Sequence, residues 1–340
     1  MKKIFVRSPY FILINEANQL GSKVELYLYN KSNGLPILPT YTLSKKIASP
    51  TQTENVYNIA NYASEYIKPI APVSVTSPTQ ENDLTWAYCV VKRYKEVTLG
   101  VYTLLSSETF VCLNGYTDYT GGYNNDDTSA VLPLVNTNIT YYKSTANNYI
   151  NAFIETVAND IVWNNGNASQ LFNNTAPSLW KLPYFGNSYL DFSPYTLPRV
   201  FSLKVEEICE PKYTPITCTF INRFGGWQYL TFFKANLQSI DVTSKDFNLL
   251  PSSVNYNVLQ GQKRVFNQQG KQKIKCNTGW VDENYFDLIQ DLLMSEVVLL
   301  DNKPAIVKSQ SSEYKTHLKD KNINYEIEFE FNYGLINDVI

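Results

Sequence analysis

The stretch CTFINRFGGWQYLTFFK, residues 218–234, sets a bare Gly225-Gly226 pair between two runs of aromatic and β-branched residues. Thr, Ile, Phe, Trp and Tyr fit a pleated, half-buried surface, so both runs read as strands. Two such runs across a short glycine-bearing link form a hairpin, with glycine supplying the positive φ of its turn. The competing reading is a ligand loop with Arg223 and Trp227 as its jaws. The flanking strands favour the hairpin. Arg223, Phe224 and Trp227 then flank the turn as candidate contacts to another subunit.

Working outward, the composition is that of a β protein. In 340 residues, hydrophobic side chains reach 44% and aromatics 14%, with 26 tyrosines, while charged residues are only 18%. That apolar content excludes global disorder, and the length allows two domains of ordinary size. A net charge of −2 makes the chain a poor candidate for wrapping nucleic acid by counterion release. It also gives no attraction to an anionic membrane surface. Cys89, Cys112, Cys209, Cys218 and Cys276 are odd in number and scattered, which fits small buried residues better than disulfides or a thiolate metal site. The basic opening is broken by Arg7, Ser8 and Pro9, so no secretory signal is expected. No window holds enough apolar residues for a membrane-spanning helix.

Period-two alternation recurs along the chain. In SKVELYLYN, Val24, Leu26 and Leu28 alternate with Glu25, Tyr27 and Tyr29, as on a half-buried strand. Residues 55–67, NVYNIANYASEYI, predict a short helix on Ile59, Tyr62, Ala63 and Tyr66. LTWAYCVVKRYKEV, VTLGVYTLLSS and ETFVCLNGY predict three strands between residues 84 and 116. From about 114 to 201 the pattern degrades into segments rich in Asn, Gly, Pro and aromatics, which predict long loops between short strands, some reaching away from the core. Beyond Cys209 regularity returns. Asp282 is placed to cap a helix carrying Tyr285, Phe286, Leu288, Ile289, Leu292 and Leu293 on one face. The last strand, NYEIEFEFNY, alternates Tyr325, Ile327, Phe329, Phe331 and Tyr333 with Glu326, Glu328 and Glu330. The expected fold is mainly β: a β-sandwich N-terminal domain over 1–205 with a loop-rich insertion at about 114–201, and a C-terminal α+β domain over 206–340 with one principal helix packed on a sheet.

Catalytic chemistry finds few footholds. His317 is the only histidine, so no histidine-based metal cluster can form, and its local sequence EYKTHLKD offers no obvious nucleophile. No phosphate-loop or dinucleotide fingerprint is present, and no carboxylate pair is marked out for glycoside hydrolysis. Asp118, Asn124, Asn125, Asp126 and Asp127 put oxygen donors on a glycine-rich loop that could hold Ca²⁺. Their spacing matches no EF-hand loop, and Asn/Asp-rich turns arise for φ > 0 alone. Trp163, Trp180, Tyr184, Tyr189 and Tyr195 could form an exposed strip that stacks on sugars, or could bury themselves at an interface. No catalytic, cofactor or metal residue is assigned.

One charge pattern is more specific. Lys271, Lys273 and Lys275 line one side of KQKIKC, and Glu326, Glu328 and Glu330 line NYEIEFEFNY with the same spacing. Such strands could pair within a chain, or meet across a subunit boundary as a register device. In the second case reversing the three glutamates would break assembly and leave the isolated fold intact.

FINRFGGWQYLTFFK, QGQKRVFNQQGKQKIKCNTGWVDENYFDLIQDLLMSE and NINYEIEFEFNYG, with RSPYFILINEANQLGSKVELYLYN and PTYTLSKKI near the start, resemble a family of virion structural proteins of tailed bacteriophages. The closest likeness is to crAss-like phages of Bacteroidetes hosts. The resemblance covers roughly residues 7–110 and 205–338 and fades over the middle. It implies a non-enzymatic, β-rich subunit of a symmetric ring in the tail or neck, part of the DNA conduit between portal and distal tail. Its partners would be copies of itself, sixfold or twelvefold, and other tail, neck or portal proteins, with DNA passing unbound and no membrane or cofactor. The ring would assemble in the host cytoplasm and reside in the virion. The alternatives are a carbohydrate- or receptor-binding virion protein and, behind it, a polysaccharide-degrading enzyme.

Overall fold

The computed structural model describes residues 1–49, 52–143, 148–155, 161–192, 199–207, 212–249, 259, 261–309 and 322–336, the side chains of Phe192 and Asn322 excepted. Tyr195, Cys209 and His317 lie outside the described residues. The fold is mainly β, with two α-helices among the described residues. The chain divides into two compact units, Met1–Glu207 with Phe220–Tyr229, and Ile208–Thr219 with Leu230–Ile340.

The first unit is a stack of layers. At its centre is a six-stranded sheet in the order Tyr41–Lys46, Gly21–Tyr29, Trp86–Thr98, Val101–Leu113, Lys2–Phe5, Asp126–Asp127. One face, with Val24, Leu26, Leu28, Cys89, Val91 and Phe110, packs against the helix Ala60–Tyr66 and the small pair Phe11–Ile14 and Asn55–Asn58. The segment 55–67 is thus not all helix: its first four residues form a strand, and Ala60 and Ala63 are the buried helical positions. Residues 84–116 hold two long strands rather than three. Val101 continues unbroken to Leu113, and the reversal falls at Gly100, whose φ is +78°.

The opposite face of that sheet, with Trp86, Tyr88, Val111 and Leu113, meets Leu132, Leu134, Phe153 and Leu179. These belong to, or directly follow, strands of a four-stranded sheet, Val131–Pro133, Tyr149–Ile154, Ser178–Pro183 and Thr79–Gln80. Its far face packs on a five-stranded sheet, Thr140–Tyr142, Phe201–Glu206, Ser188–Phe192, Ile161–Asn164 and Ser169–Phe172, through Ile150, Ala152, Ile154 and Leu182 against Ile161, Trp163, Leu190 and Leu203. The middle of the chain is therefore a sandwich with its own core, which corrects the expectation of long loops reaching outward. The reason is burial on both faces. Every residue of Tyr149–Ile154 is buried, so the strand shows no apolar–polar alternation.

A seven-stranded sheet runs in the order Trp227–Phe232, Ile216–Ile221, Val298–Leu300, Lys303–Val307, Asn322–Gly334, Lys263–Asp282, Leu237–Asn248; all of it belongs to the second unit except Phe220, Ile221 and residues 227–229, which are counted with the first. Tyr325, Ile327 and Phe329 are buried as their alternation predicts. The helix begins at Tyr285, three residues beyond Asp282, and buries Tyr285, Leu288, Ile289 and Leu292. Asp282 does not cap it. Its carboxylate accepts the Asn284 N–H at 2.9 Å in a turn before the helix. Among the described residues no helix is long and apolar enough to cross a membrane.

Candidate functional site

The hairpin that opened the reading is present: Ile216–Ile221 and Trp227–Phe232 flank a tight turn. The Gly225 N–H donates to the Asn222 carbonyl and the Asn222 N–H to the Gly226 carbonyl, both at 3.0 Å. The buried Asn222 side chain completes the turn, accepting from Phe224 N–H at 3.0 Å and Gly226 N–H at 3.1 Å. Its amide donates to the Leu134 carbonyl and to Gln228 Oε1, both at 2.8 Å.

The glycines do more than turn the chain. Gly225 has φ +83°, and a Cβ there would lie 2.8 Å from the Asn114 backbone; one on Gly226 would lie 2.6 Å from the Leu134 carbonyl oxygen. The turn is docked in a slot of backbone that only hydrogen fits. Trp227 sits in the core at 4% exposure, and its N–H donates to Asn151 Oδ1 at 2.9 Å. It is no jaw of a ligand loop.

Arg223 and Phe224 instead line an open cleft of about 300 Å³, with Phe5, Tyr116, Asp118 and Asn125 among its other walls. Phe5 and Phe224 meet edge to face at 6.5 Å, and the Arg223 guanidinium stands 5.1 Å from the Phe224 ring centre. On the same loop as Asp118, Tyr119 is fully exposed and Tyr123 is 75% exposed. Asp118 is the only carboxylate among the described residues that line it, whereas glycoside hydrolysis uses two. Aromatic walls with a guanidinium, an amide and one acid suit holding a polar ligand with an apolar face.

The oxygen donors of the 118–127 loop are largely engaged. Asn124 pairs through its side chain with both the N–H and the carbonyl of Phe11. Asp126 accepts from the Tyr10 hydroxyl at 2.9 Å, and Asp127 from the Ser129 N–H at 2.8 Å. Among the described residues no group of three or more His, Cys, Asp or Glu side chains is placed to hold a metal ion.

The lysine and glutamate faces meet inside the chain. The two strands pair antiparallel with Lys273 opposite Glu330, Lys275 opposite Glu328 and Asn277 opposite Glu326. Diagonal ion pairs follow from that register: Lys271–Glu330 at 3.1 Å, Lys273–Glu328 at 3.8 Å, and Lys275–Glu326. Of the two arrangements open to these strands, the intrachain one is what the structure shows. Burial pushes the Glu330 carboxyl up, but hydrogen bonds from Lys271 and Lys308 outweigh it and hold it below the usual carboxylate range. A hydrogen bond to Asp241 raises Lys273, which ties the ladder to the next strand over.

Most of the aromatics of the middle segment are interior. Trp163, Trp180 and Tyr184 are buried, Tyr189 is half-buried, and the Arg199 guanidinium stacks on Tyr189 at 3.8 Å. Trp163 donates to the Pro183 carbonyl at 2.7 Å and Trp180 to Asn174 at 3.1 Å. The exposed sugar-stacking strip that could have stood here is replaced by a core.

No protein-family model matches this chain, and no curated protein matches it.

One surface carries no motif. Leu237–Asn248 is exposed at all of its positions, as are residues 263–269 of its partner strand. Exposed there are Leu237, Ile240, Val242, Phe247, Val265 and Phe266. The sole sequence signal is weak: apolar residues recur on both strands without favouring one face.

Proposed function

We propose that the chain is a structural subunit of a symmetric ring in a bacteriophage tail or neck, a segment of the wall through which DNA passes. The observation that carries this reading is the exposed ribbon formed by Leu237–Asn248 and residues 263–269. Among the described residues no layer covers it, and a two-stranded ribbon standing alone is marginal in water. Contiguous exposed apolar residues on such a ribbon are the mark of a protein–protein contact. The sequence resemblance to tailed-phage virion proteins gives that contact a setting, and a net charge of −2 suits a conduit that does not grip DNA. Native mass spectrometry of the full chain, with negative-stain images of the same sample, tests the proposal. Closed rings of six or twelve copies are expected, and a chain that stays monomeric at micromolar concentration would sink the reading.

A carbohydrate- or receptor-binding role is the second reading, favoured by the cleft between Arg223, Phe224 and Asp118 and the exposed Tyr119 and Tyr123 beside it. Titration of the full chain with host-surface glycans tests it. Saturable binding that Arg223→Ala abolishes would support it; no binding to any glycan would remove it.

A further inference from the structure

We infer that the hairpin tip at residues 97–101 of one copy of this chain seats in the cleft between Phe5, Phe224 and Asp118 of the next, joining copies head to tail. This rests on the ring reading above and adds a contact to it.

The tip is an apolar projection held in one shape. It closes the long hairpin of Trp86–Thr98 and Val101–Leu113. Leu99 at its apex is 84% exposed, and Val97, Val101 and Leu104 are exposed around it. Beneath them the Glu96 side chain is fully buried. Its carboxylate accepts the Gly100 N–H at 2.7 Å and a bond from the Lys46 ammonium, while Gly100 makes the reversal at positive φ. A loop fixed in this way gives up little conformational freedom on docking. Apolar side chains gathered on an exposed projection mark a protein contact.

The cleft is the complementary shape, and it lies at the other end of the same strand. Val101 opens that strand at the tip, Leu113 closes it, and Asp118 and Thr120 of the loop that follows line the cleft. The strand's 13 residues at about 3.3 Å each put tip and cleft about 40 Å apart. No copy can therefore fill its own cleft with its own tip. The Phe5 and Phe224 rings, meeting edge to face, offer apolar walls to Leu99, and about 300 Å³ holds a leucine side chain. A projection and a pocket on different parts of one molecule make a heterologous contact, which closes into a ring when the rotation between copies permits.

Charge favours a second copy as the occupant. Residues 92–101 carry Lys92, Arg93 and Lys95, with Arg93 bound to Glu108 at 3.0 Å. Their one acid, Glu96, is the buried group under the turn. Residues 114–127 carry Asp118, Asp126 and Asp127 and no base, with Asp126 3.7 Å from Lys2. Arg223 is the one base among the described residues that line the cleft, and it stands against the Phe224 ring. Seating the tip brings Lys95 toward the acidic loop, whose exposed Tyr119 and Tyr123 rings suit an ammonium. Two tips meeting each other would set like charges together instead, which complementary interfaces avoid.

Complementation between two variants of the full chain tests the contact. Leu99→Asp spoils the apex and Thr120→Trp plugs the cleft, and both positions are exposed. Thermal unfolding at the wild-type temperature verifies the fold of each. By native mass spectrometry each variant alone should lose the wild-type rings. An equimolar mixture should give a one-to-one dimer and nothing larger, because it leaves one sound tip facing one sound cleft. Rings that survive Leu99→Asp would overturn the tip contact and leave the ring reading standing. Loss of rings with Leu99→Asp but not with Thr120→Trp would overturn the cleft as the seat of the tip. Two monomeric variants that fail to dimerise when mixed would overturn their pairing. A wild-type chain that stays monomeric would overturn both this contact and the ring.

Discussion

Asn151 Oδ1 accepts the backbone N–H of Trp227 at 2.9 Å, while the same side chain donates to the Glu81 carboxylate at 3.0 Å. Glu81 in turn holds Lys181 at 2.9 Å. Through these contacts a buried polar network ties the end of the central hairpin into the first unit. Asn222, Gln228 and Tyr141 continue it, Gln228 donating to the Tyr141 hydroxyl at 3.1 Å. Unpartnered buried groups are costly, so such a network stabilises only when complete. Asn151→Leu leaves the Trp227 N–H and one Glu81 oxygen without that partner. A loss of about 2–4 kcal/mol is expected from two orphaned buried groups, read as a lower urea midpoint for the first unit. An unchanged midpoint would show that the hairpin is held by packing alone.

Gly225 and Gly34 separate two costs of replacing glycine. Both have positive φ, +83° and +65°, but only Gly225 has backbone within 3 Å of its missing Cβ. Gly34→Ala should cost about 1 kcal/mol, the strain of a left-handed alanine. Gly225→Ala adds a clash with the Asn114 and Gly115 backbone and should cost at least about 3 kcal/mol, beyond conformational strain alone. Equal effects by thermal unfolding would mean that the turn is not docked as described.

The position of the Lys–Glu ladder changes what charge reversal should do. Glu326→Lys, Glu328→Lys and Glu330→Lys together turn the diagonal ion pairs with Lys275, Lys273 and Lys271 into like-charge contacts within one sheet. The second unit should lose stability, chiefly through Glu330, the buried member of the three, since exposed ion pairs contribute little. Reversing the three lysines as well should restore most of the loss. A triple variant that folds with wild-type stability would contradict the pairing.

Acid should reveal Glu330. Its carboxyl is held below the ordinary value of 4.5 in the folded chain. The stabilisation is therefore complete above that value and disappears as pH falls through the lower, folded one. Glu330→Gln should be less stable at neutral pH and lose less on acidification below about 4.5. Parallel stability–pH curves for the two proteins would show that Glu330 does not contribute in this way.

The described cysteines should be silent in the folded chain. Cys89, Cys112, Cys218 and Cys276 are buried, and burial pushes the Cys276 thiol up to about 12. The thiolate is the reactive form. Maleimide at pH 8 should label none of the four before unfolding, as mapped by peptide mass spectrometry. Rapid labelling of Cys276 would place solvent where its strand is closed.

What could be read from the residues followed one-sided burial. The hairpin about Gly225 and the strand carrying Tyr325, Ile327 and Phe329 were legible because one face is apolar and the other is not. Tyr149–Ile154 was opaque for the opposite reason, since a strand covered on both faces has no period to show. The ribbon was opaque as well, because apolar residues stand on both of its exposed faces. For the site, the residues at the turn were legible but not their destinations: Trp227 went to the core, and Arg223 and Phe224 to a cleft with Asp118.

The sequence by itself determined that the protein is mainly β, that a glycine turn joins two central strands, and that a lysine row and a glutamate row share one spacing. The tertiary structure alone decided that these rows meet within one chain, that the middle segment closes into a sandwich, and that one long ribbon stands exposed among the described residues. The reason is range. Alternation and turn chemistry are local properties of a few residues, whereas register, layering and open edges depend on which distant strands come to lie side by side.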